Sequence, residues 1–288
     1  MTTLRTGIVA GTELDPANPK PGAYSGVSFA DYRRIDAVNN SLLKHMRDGV
    51  AATHYAKMNP TEPDKSMRLG SGLHFWKLER DKFADAVLVT ELASRRGKAW
   101  EAIQAANHDK LILLEDEFES VKAMGREMTR HKKARELAAA VGEVEVVYVW
   151  QDKDTGLWLK ARADKLVMHP TVQTIDVELK TAADVSEWKF SDAIWKLCYH
   201  TQFALRIMAR EALGLEPAAY RWIVVRNEPY HRVRVYTPSD DMLYAGQQEV
   251  LGWLRRWAQA VASNNFEDET EYAELIDLPA HAAKRFER

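Results

Sequence analysis

Two short segments carry most of the chemistry open to this chain, Leu159-Lys-Ala-Arg-Ala-Asp164-Lys-Leu and Thr174-Ile-Asp-Val-Glu178-Leu-Lys180-Thr. Strand side chains alternate between two faces, so Asp176, Glu178 and Lys180 point one way and Ile175, Val177 and Leu179 the other. A buried charge without a partner is expensive. A face with two carboxylates and an ammonium, opposite a clean apolar face, is therefore arranged around something. By the same alternation Lys160, Arg162 and Asp164 share a face, and pairing of the two strands would set Asp164 beside Glu178. Two carboxylates offering oxygen at one point suit a hard divalent cation, Mg2+ or Mn2+. Lys180 beside that cation can orient or deprotonate a water and stabilise developing negative charge. This is the recipe for phosphodiester hydrolysis, with Lys160 and Arg162 placed to meet phosphates. The same alternation also fits a solvated antiparallel sheet carrying its charges on the wet face.

The elements that must hold these residues follow from periodicity. Residues 1–28, rich in Pro, Gly, Thr and Asn, read as an extended arm. A helical layer is expected over 29–142. Ser28, Asp31 and Asn39 or Asn40 act as caps, helical spacing returns from Leu69 to Arg80, and a long helix runs from Glu115 to Val141, ending near Gly142. The period then changes. Strands are expected at Glu143–Trp150 and Leu157–Val167, joined by a turn at 151–156, and at Val172–Thr181 after a break at His169-Pro170. A helix from Glu187 to Leu213, strands at Ala219–Arg226 and His231–Thr237, and a helix from Pro238 to Ala262 complete the order. An acidic tail follows, with Glu267, Asp268, Glu269, Glu271 and Glu274 close together. This predicts an α/β fold in one globular unit: arm 1–28, helical layer 29–142, core 143–237, and C-terminal helix with acidic tail 238–288.

Composition narrows the function. At 288 residues and 46% hydrophobic, the chain can bury a sizeable core without staples. Its 40 basic and 42 acidic side chains leave a formal charge of −2, so a nucleic-acid site must come from sorting charges rather than from a surplus. The single cysteine, Cys198, excludes an internal disulfide, a four-cysteine iron–sulfur cluster and a zinc ribbon. No apolar run approaches the roughly 20 residues of a membrane span, and no signal-peptide core is present. The expectation is a cytoplasmic protein without a membrane partner. Motifs for an ATP motor, a serine hydrolase elbow and a zincin helix are missing.

Asp164, thirteen intervening residues, then Glu178-x-Lys180 resembles the PD-(D/E)xK nuclease superfamily. The wider pattern is similar to its RecE-type branch, the exodeoxyribonuclease VIII-like phage and prophage exonucleases. Tyr32-Arg-Arg-Ile-Asp-Ala-Val-Asn-Asn-Ser41 resembles that branch's N-terminal signature, and Gly70-Ser-Gly72-Leu-His74 the glycine–histidine motif of RecB- and RecE-like nucleases. Glu145 five residues before Trp150, then Asp154-Thr-Gly156 and Lys160-x-Arg162-x-Asp164, resembles the first hairpin of the core. Tyr199-His-Thr-Gln202 is similar to the helix motif after the third strand.

The resemblance implies a restriction-endonuclease-like core, a mixed central sheet flanked by helices, with the N-terminal helical layer added to it. It implies Asp164 and Glu178 as metal ligands, Lys180 as the catalytic lysine, and the Leu179 main-chain carbonyl and His74 as further ligands. Glu145 becomes a supporting acid and Gln202 a groove residue. Two departures stand out. The family often carries Asp where this chain has Glu178, and Asp176 lies two residues earlier on the same face; the lysine two residues on favours Glu178. The Gln-x-x-x-Tyr form of the helix motif meets Arg206 instead of Tyr, and a guanidinium there can contact phosphate. Arg95, Arg96 and Lys98, around Gly97, are further candidate DNA contacts. The implied activity is Mg2+-dependent exonucleolytic hydrolysis of one strand of linear duplex DNA, 5′ to 3′, leaving a 3′ single strand for an annealing protein, by a ring-shaped homo-oligomer. The alternatives are an endonuclease with the same core and a non-catalytic DNA-binding protein on a nuclease scaffold.

Overall fold

The structure, a computed structural model, describes residues 8–168 and 173–268. The break expected at His169-Pro170 and the acidic tail beyond Asp268 lie outside the described residues. The chain opens with β1 (Ile8–Ala10) and β2 (Gly22–Ser25), then short helices α1 (Phe29–Arg34) and α2 (Asn40–Leu43). Helices α3 (Val50–Met58), α4 (Lys65–Lys77) and α5 (Phe83–Ala86) follow. The caps work as their residue types dictate: Ser28, Asn39 and Asp64 each accept a backbone N–H from the first turn of their helix. A small parallel pair, β3 (Val87–Thr90) and β4 (Leu111–Leu114), brackets α6 (Gly97–Ala106).

Helices α7 (Glu115–Arg130) and α8 (Lys132–Ala139) lead into the core strands β5 (Gly142–Gln151), β6 (Trp158–Val167) and β7 (Ile175–Ala182). Then come α9 (Glu187–Lys196), α10 (Tyr199–Ala212), β8 (Ala219–Arg226), β9 (Val233–Tyr236) and α11 (Asp240–Ser263). The main sheet has the order β1-β2-β5-β6-β7-β8-β9. β1–β2 and β7–β8 are parallel and the other neighbours antiparallel, so the sheet is mixed.

Alternation along β7 assigns its faces. Val177 and Leu179 join Leu69 and Leu73 of α4 and Met124 and Met128 of α7 in one core. On the opposite side Phe190, Phe203 and Trp222 form a second core under α9 and α10. The largest cluster sets Val146, Tyr148 and Trp150 of β5 against Ala204 and Leu205 of α10 and Trp253 and Trp257 of α11. Along β6 that cluster takes Leu159, Ala161 and Ala163, then Leu166. The alternation therefore slips by one residue beside Asp164.

Several elements differ from the sequence reading. Residues 8–10 and 22–25, within the expected arm, form strands that extend the sheet through β5. Buried Ala23 and Tyr24 explain why they dock. The helix expected over 115–141 is two, because His131 adopts extended backbone (ψ 110) and caps α8 through Nδ1. Gly142 belongs to β5 rather than to a helix end. The helix expected over 187–213 is also two, broken where Cys198 takes a left-handed conformation (φ 55). The Cys198 carbonyl accepts Thr201 Oγ1 and Asn40 Nδ2, which ties the break to α2.

Candidate active site

The site sits where β6 and β7 part. Their ladder pairs Val167 with Ile175, Leu166 with Asp176 and Lys165 with Val177, and then stops. One residue further the Asp164 carboxylate replaces the main chain: its Oδ2 accepts the Leu179 N–H at 2.8 Å. In a strand the N–H and C=O of one residue point to the same edge, so the Leu179 carbonyl also opens toward this fork. Glu145 faces Asp164 from β5, between the pairs Val144–Lys165 and Val146–Ala163. Its φ of 58° is uncommon for a residue with a Cβ. That local turn of the backbone accompanies the slip in β6, and such outliers gather at functional sites.

Helix α4 delivers His74 to this point. A Cβ on Gly72 would lie 2.9 Å from Val121 Cγ2 and 3.0 Å from Leu113 Cδ1, so only glycine lets α4 pack this close to α7 and β4. His74 Nε2 lies 2.8 Å from Glu145 Oε1 and 3.8 Å from Asp164 Oδ1, while Nδ1 is 3.5 Å from Glu79 Oε2. Glu79 escaped the sequence reading. It lies just beyond the end of α4, is buried, and is held by Lys82 at 2.6 Å. A carboxylate on Nδ1 fixes the imidazole so that Nε2 faces the acids. Burial pushes the His74 pKa down, but its pairs with Glu145 and Glu79 and the charge of Asp164 outweigh that and raise it to about 10. For Glu79, burial is outweighed by His74 and Lys82, and the pKa falls to about 2.

On β7 the charged face meets α10. Lys180 Nζ donates to Glu178 Oε1 at 2.7 Å and lies 4.6 Å from the centre of the Tyr199 ring. Arg206 Nη1 donates to Glu178 Oε2 at 2.6 Å and to the Arg162 carbonyl at 2.9 Å, and its Nε is 3.2 Å from Asp176 Oδ2. Burial would raise the Glu178 pKa, yet Lys180 and Arg206 bring it down to about 2. Asp164 goes the other way, to about 6, through burial and the charge of Glu178. Asp176 is fully buried and pushed up to about 7 by that burial. Opposite shifts on neighbouring carboxylates mark a site built to hold uneven charge. Gln202 is on α10 as expected, with Oε1 buried and unpartnered.

The expected phosphate contacts fare differently. Arg206 is 1% exposed and lies among carboxylates, so it has no surface to offer a phosphate. Lys160 is also internal: its ammonium donates to the Tyr32 and Ile35 carbonyls at 2.9 and 2.7 Å, tying α1 to β6. Lys160, Arg162 and Asp164 thus do not form one solvent-facing row. Arg95 pairs with buried Glu117 and donates to the Ile112 carbonyl, bracing β4. Arg96 and Lys98 are exposed at the start of α6. Arg162 is partly exposed, 2.7 Å from Glu145 Oε2, with its guanidinium 4.7 Å from the centre of the Phe29 ring.

The residues present fit a divalent cation. Carboxylate and imidazole donors of the kind that bind a divalent cation gather here, but the donors that lie close together among the described residues belong to His74, Glu79 and Glu145 rather than to the expected pair Asp164 and Glu178. His74 Nε2 and Glu145 Oε1, 2.8 Å apart, are both buried. One donor atom from each of His74, Glu79 and Glu145 lies within 4.8 Å of the others.

A sheet forked by an aspartate, with Glu-x-Lys on the facing prong and helices on both sides, defines a PD-(D/E)xK-type core. Residues 39–279 match the family described as a PDDEXK-like domain of unknown function (DUF3799), and the chain belongs to that family. Among solved structures it is similar to a candidate exonuclease from Eubacterium rectale, at 13% identity and a TM-score of 0.58. That alignment covers 89% of this chain and 95% of the other and shows likeness of fold. SSO0001 aligns at 12% identity over 78% of this chain and 85% of its own, with a TM-score of 0.28 that carries no argument. No curated protein matches significantly. Family and fold together support a nuclease. No helix among the described residues is long and apolar enough to cross a membrane.

Proposed function

We propose that this chain is a Mg2+-dependent exodeoxyribonuclease that hydrolyses one strand of linear double-stranded DNA from an end, 5′ to 3′. The product is a 3′ single strand for recombination by strand annealing. The observation that carries the hydrolytic reading is the fork itself. Asp164 is pinned to the Leu179 N–H at 2.8 Å, and Lys180 stands 2.7 Å from Glu178 on the facing prong. Exonuclease over endonuclease rests on the RecE-type motifs and is supported by the likeness to the Eubacterium rectale protein. The ring-shaped homo-oligomer, the annealing partner and a cytoplasmic setting belong to the same reading.

Asp164, Glu178, the Leu179 carbonyl and His74 would hold the cation, which when bound lowers the pKa of a water and offsets charge on phosphoryl oxygens. The protein's residues do the rest. Glu178 holds the Lys180 pKa above its ordinary value against the pull of burial, so the lysine stays an ammonium. In that form it orients the attacking water and donates to charge developing on the phosphate. Glu79 keeps His74 Nε2 directed at Asp164 and Glu145. Arg162, partly exposed beside Glu145, is the residue best placed to meet the arriving phosphate.

The test is digestion of end-labelled linear duplex beside closed circular DNA in Mg2+, with Lys180→Ala and Asp164→Asn as controls. Loss of the linear DNA alone, abolished in both variants, is the expected result. Cutting of the circle would replace the exonuclease by an endonuclease. Retained DNA binding with no cleavage in Mg2+ or Mn2+ would leave a binding protein on a nuclease scaffold.

A further inference from the structure

Helix α10 lays a stripe along the charged face of β7. Tyr199, Arg206 and Arg210 are spaced seven and four residues apart, which puts them on one side of the helix. The first two meet β7 in order and the third reaches β5. Tyr199 lies beneath Lys180, Arg206 binds Glu178 and reaches Asp176, and Arg210 continues to the Tyr148 hydroxyl at 3.1 Å and the Glu216 carbonyl. Arg206 is the centre of this stripe and among the largest fully buried side chains. Its Nη1 contacts both prongs of the fork at once, the Arg162 carbonyl on β6 and the Glu178 carboxylate on β7. The other end of the guanidinium is taken by Asp176, whose two oxygens are buried and make no hydrogen bond. Asp176 is thus turned inward as a counter-charge, while Glu178 is left at the fork with Lys180.

We propose that Arg206 is a positioning residue for the cation site. It selects Glu178 over Asp176 as the carboxylate presented to a divalent cation, and it sets the spacing of the two prongs. Nε and Nη1 leave the guanidinium in fixed directions, so one planar group can hydrogen-bond acceptors on both strands through Nη1 while its Nε stands 3.2 Å from Asp176 as an ion pair. An ammonium carries the same charge without that geometry. The inference rests on the divalent-metal part of the function proposed above and on nothing about strand polarity or DNA ends.

The experiment is calorimetric titration of the full chain with Mn2+ and with Mg2+, alongside thermal melting, for wild type, Arg206→Lys, Arg206→Met and the double variant Arg206→Met/Asp176→Asn. The double variant removes one buried charge of each sign, so its fold is not left with the imbalance that Arg206→Met alone creates. Wild type should bind. Arg206→Lys should bind Mn2+ about 10- to 100-fold more weakly, the usual effect of losing a group that orients a ligand. The double variant should melt cooperatively and still bind at least about tenfold more weakly. Wild-type affinity in Arg206→Lys would overturn the proposal, since charge alone would then suffice. Wild-type affinity in the double variant would overturn it too, making Arg206 a mere neutraliser of Asp176. Absence of cation binding by wild type would also sink it. If the double variant does not fold, the Arg206→Lys titration decides. Weakened cation binding in that ranking, with no DNA cleaved by wild type, would remove the nuclease reading and leave the positioning role standing.

Discussion

Cation binding at the fork should release a proton, and His74 is its source. With its pKa raised to about 10 by Glu145, Glu79 and Asp164 against the effect of burial, His74 is an imidazolium at neutral pH. A cation that takes Nε2 must displace that proton. At pH 7 the gap is about three pKa units, and each unit corresponds to about 1.4 kcal/mol. Freeing the nitrogen therefore costs about 4 kcal/mol, roughly a thousandfold in apparent affinity. The sign follows: a raised pKa opposes binding at low pH, so affinity should climb about tenfold per pH unit from about pH 6.5 to 8.5. Asp164, raised to about 6 by burial and by Glu178, steepens the dependence below that value. Titration with Mn2+ in buffers of different ionisation enthalpy should count about one proton released per cation near pH 7.5. His74→Asn should flatten the profile. An affinity that does not change across this range, with no proton released, would refute His74 as a ligand.

Three further outcomes follow from the fold. Gly72→Ala drives a methyl into Val121 and Leu113 and should cost about 1–3 kcal/mol, read as a fall of several degrees in Tm. Glu117→Gln strands Arg95 and Arg68 against a buried site and should cost about 3 kcal/mol. Burial would raise the Glu117 pKa, but Arg95 and the Leu114 N–H lower it, so its stabilisation is complete above the ordinary carboxylate range and fades as pH falls through the depressed value. Acid melting curves of wild type and Glu117→Gln should converge there. Lys160→Met should lower Tm but leave the salt dependence of DNA binding unchanged, because its ammonium is spent on the Tyr32 and Ile35 carbonyls.

The Asp164, Glu178 and Lys180 constellation was legible because a strand's two-residue period sorts charges from apolar residues without any knowledge of the partner strand. The pairing partners were not legible in the same way. Arg206 read as a phosphate contact because its charge is visible in the sequence, whereas Asp176 and Glu178, the groups that hold it, lie on another element about thirty residues away. Lys160 and Arg95 were misread for the same reason, since carbonyls and a buried glutamate claim them. Glu79 had a usable signal, five residues after His74 and just past the helix end, but one acid in a charged chain is weak punctuation. The left-handed turns at Glu145 and Cys198 left no trace, because neither position carries the glycine that would advertise them. Without those turns the slip in β6 and the division of α9 from α10 could not be seen.

The bond from Asp164 to the Leu179 N–H has a practical consequence for trapping this protein on its substrate. That carboxylate is a structural peg as well as a donor, holding the seam where the two strands separate. Asp164→Ala would orphan a buried amide, at a cost of about 1–3 kcal/mol, and let the seam relax. An inert protein made that way reports a disturbed sheet as much as lost chemistry, and a complex captured with it would display the wrong groove. Among the described residues the Lys180 ammonium is held by Glu178 and the face of Tyr199. In the proposed mechanism, removing its ammonium should silence the chemistry while leaving the seam closed, which makes Lys180 the position from which to build a faithful substrate trap.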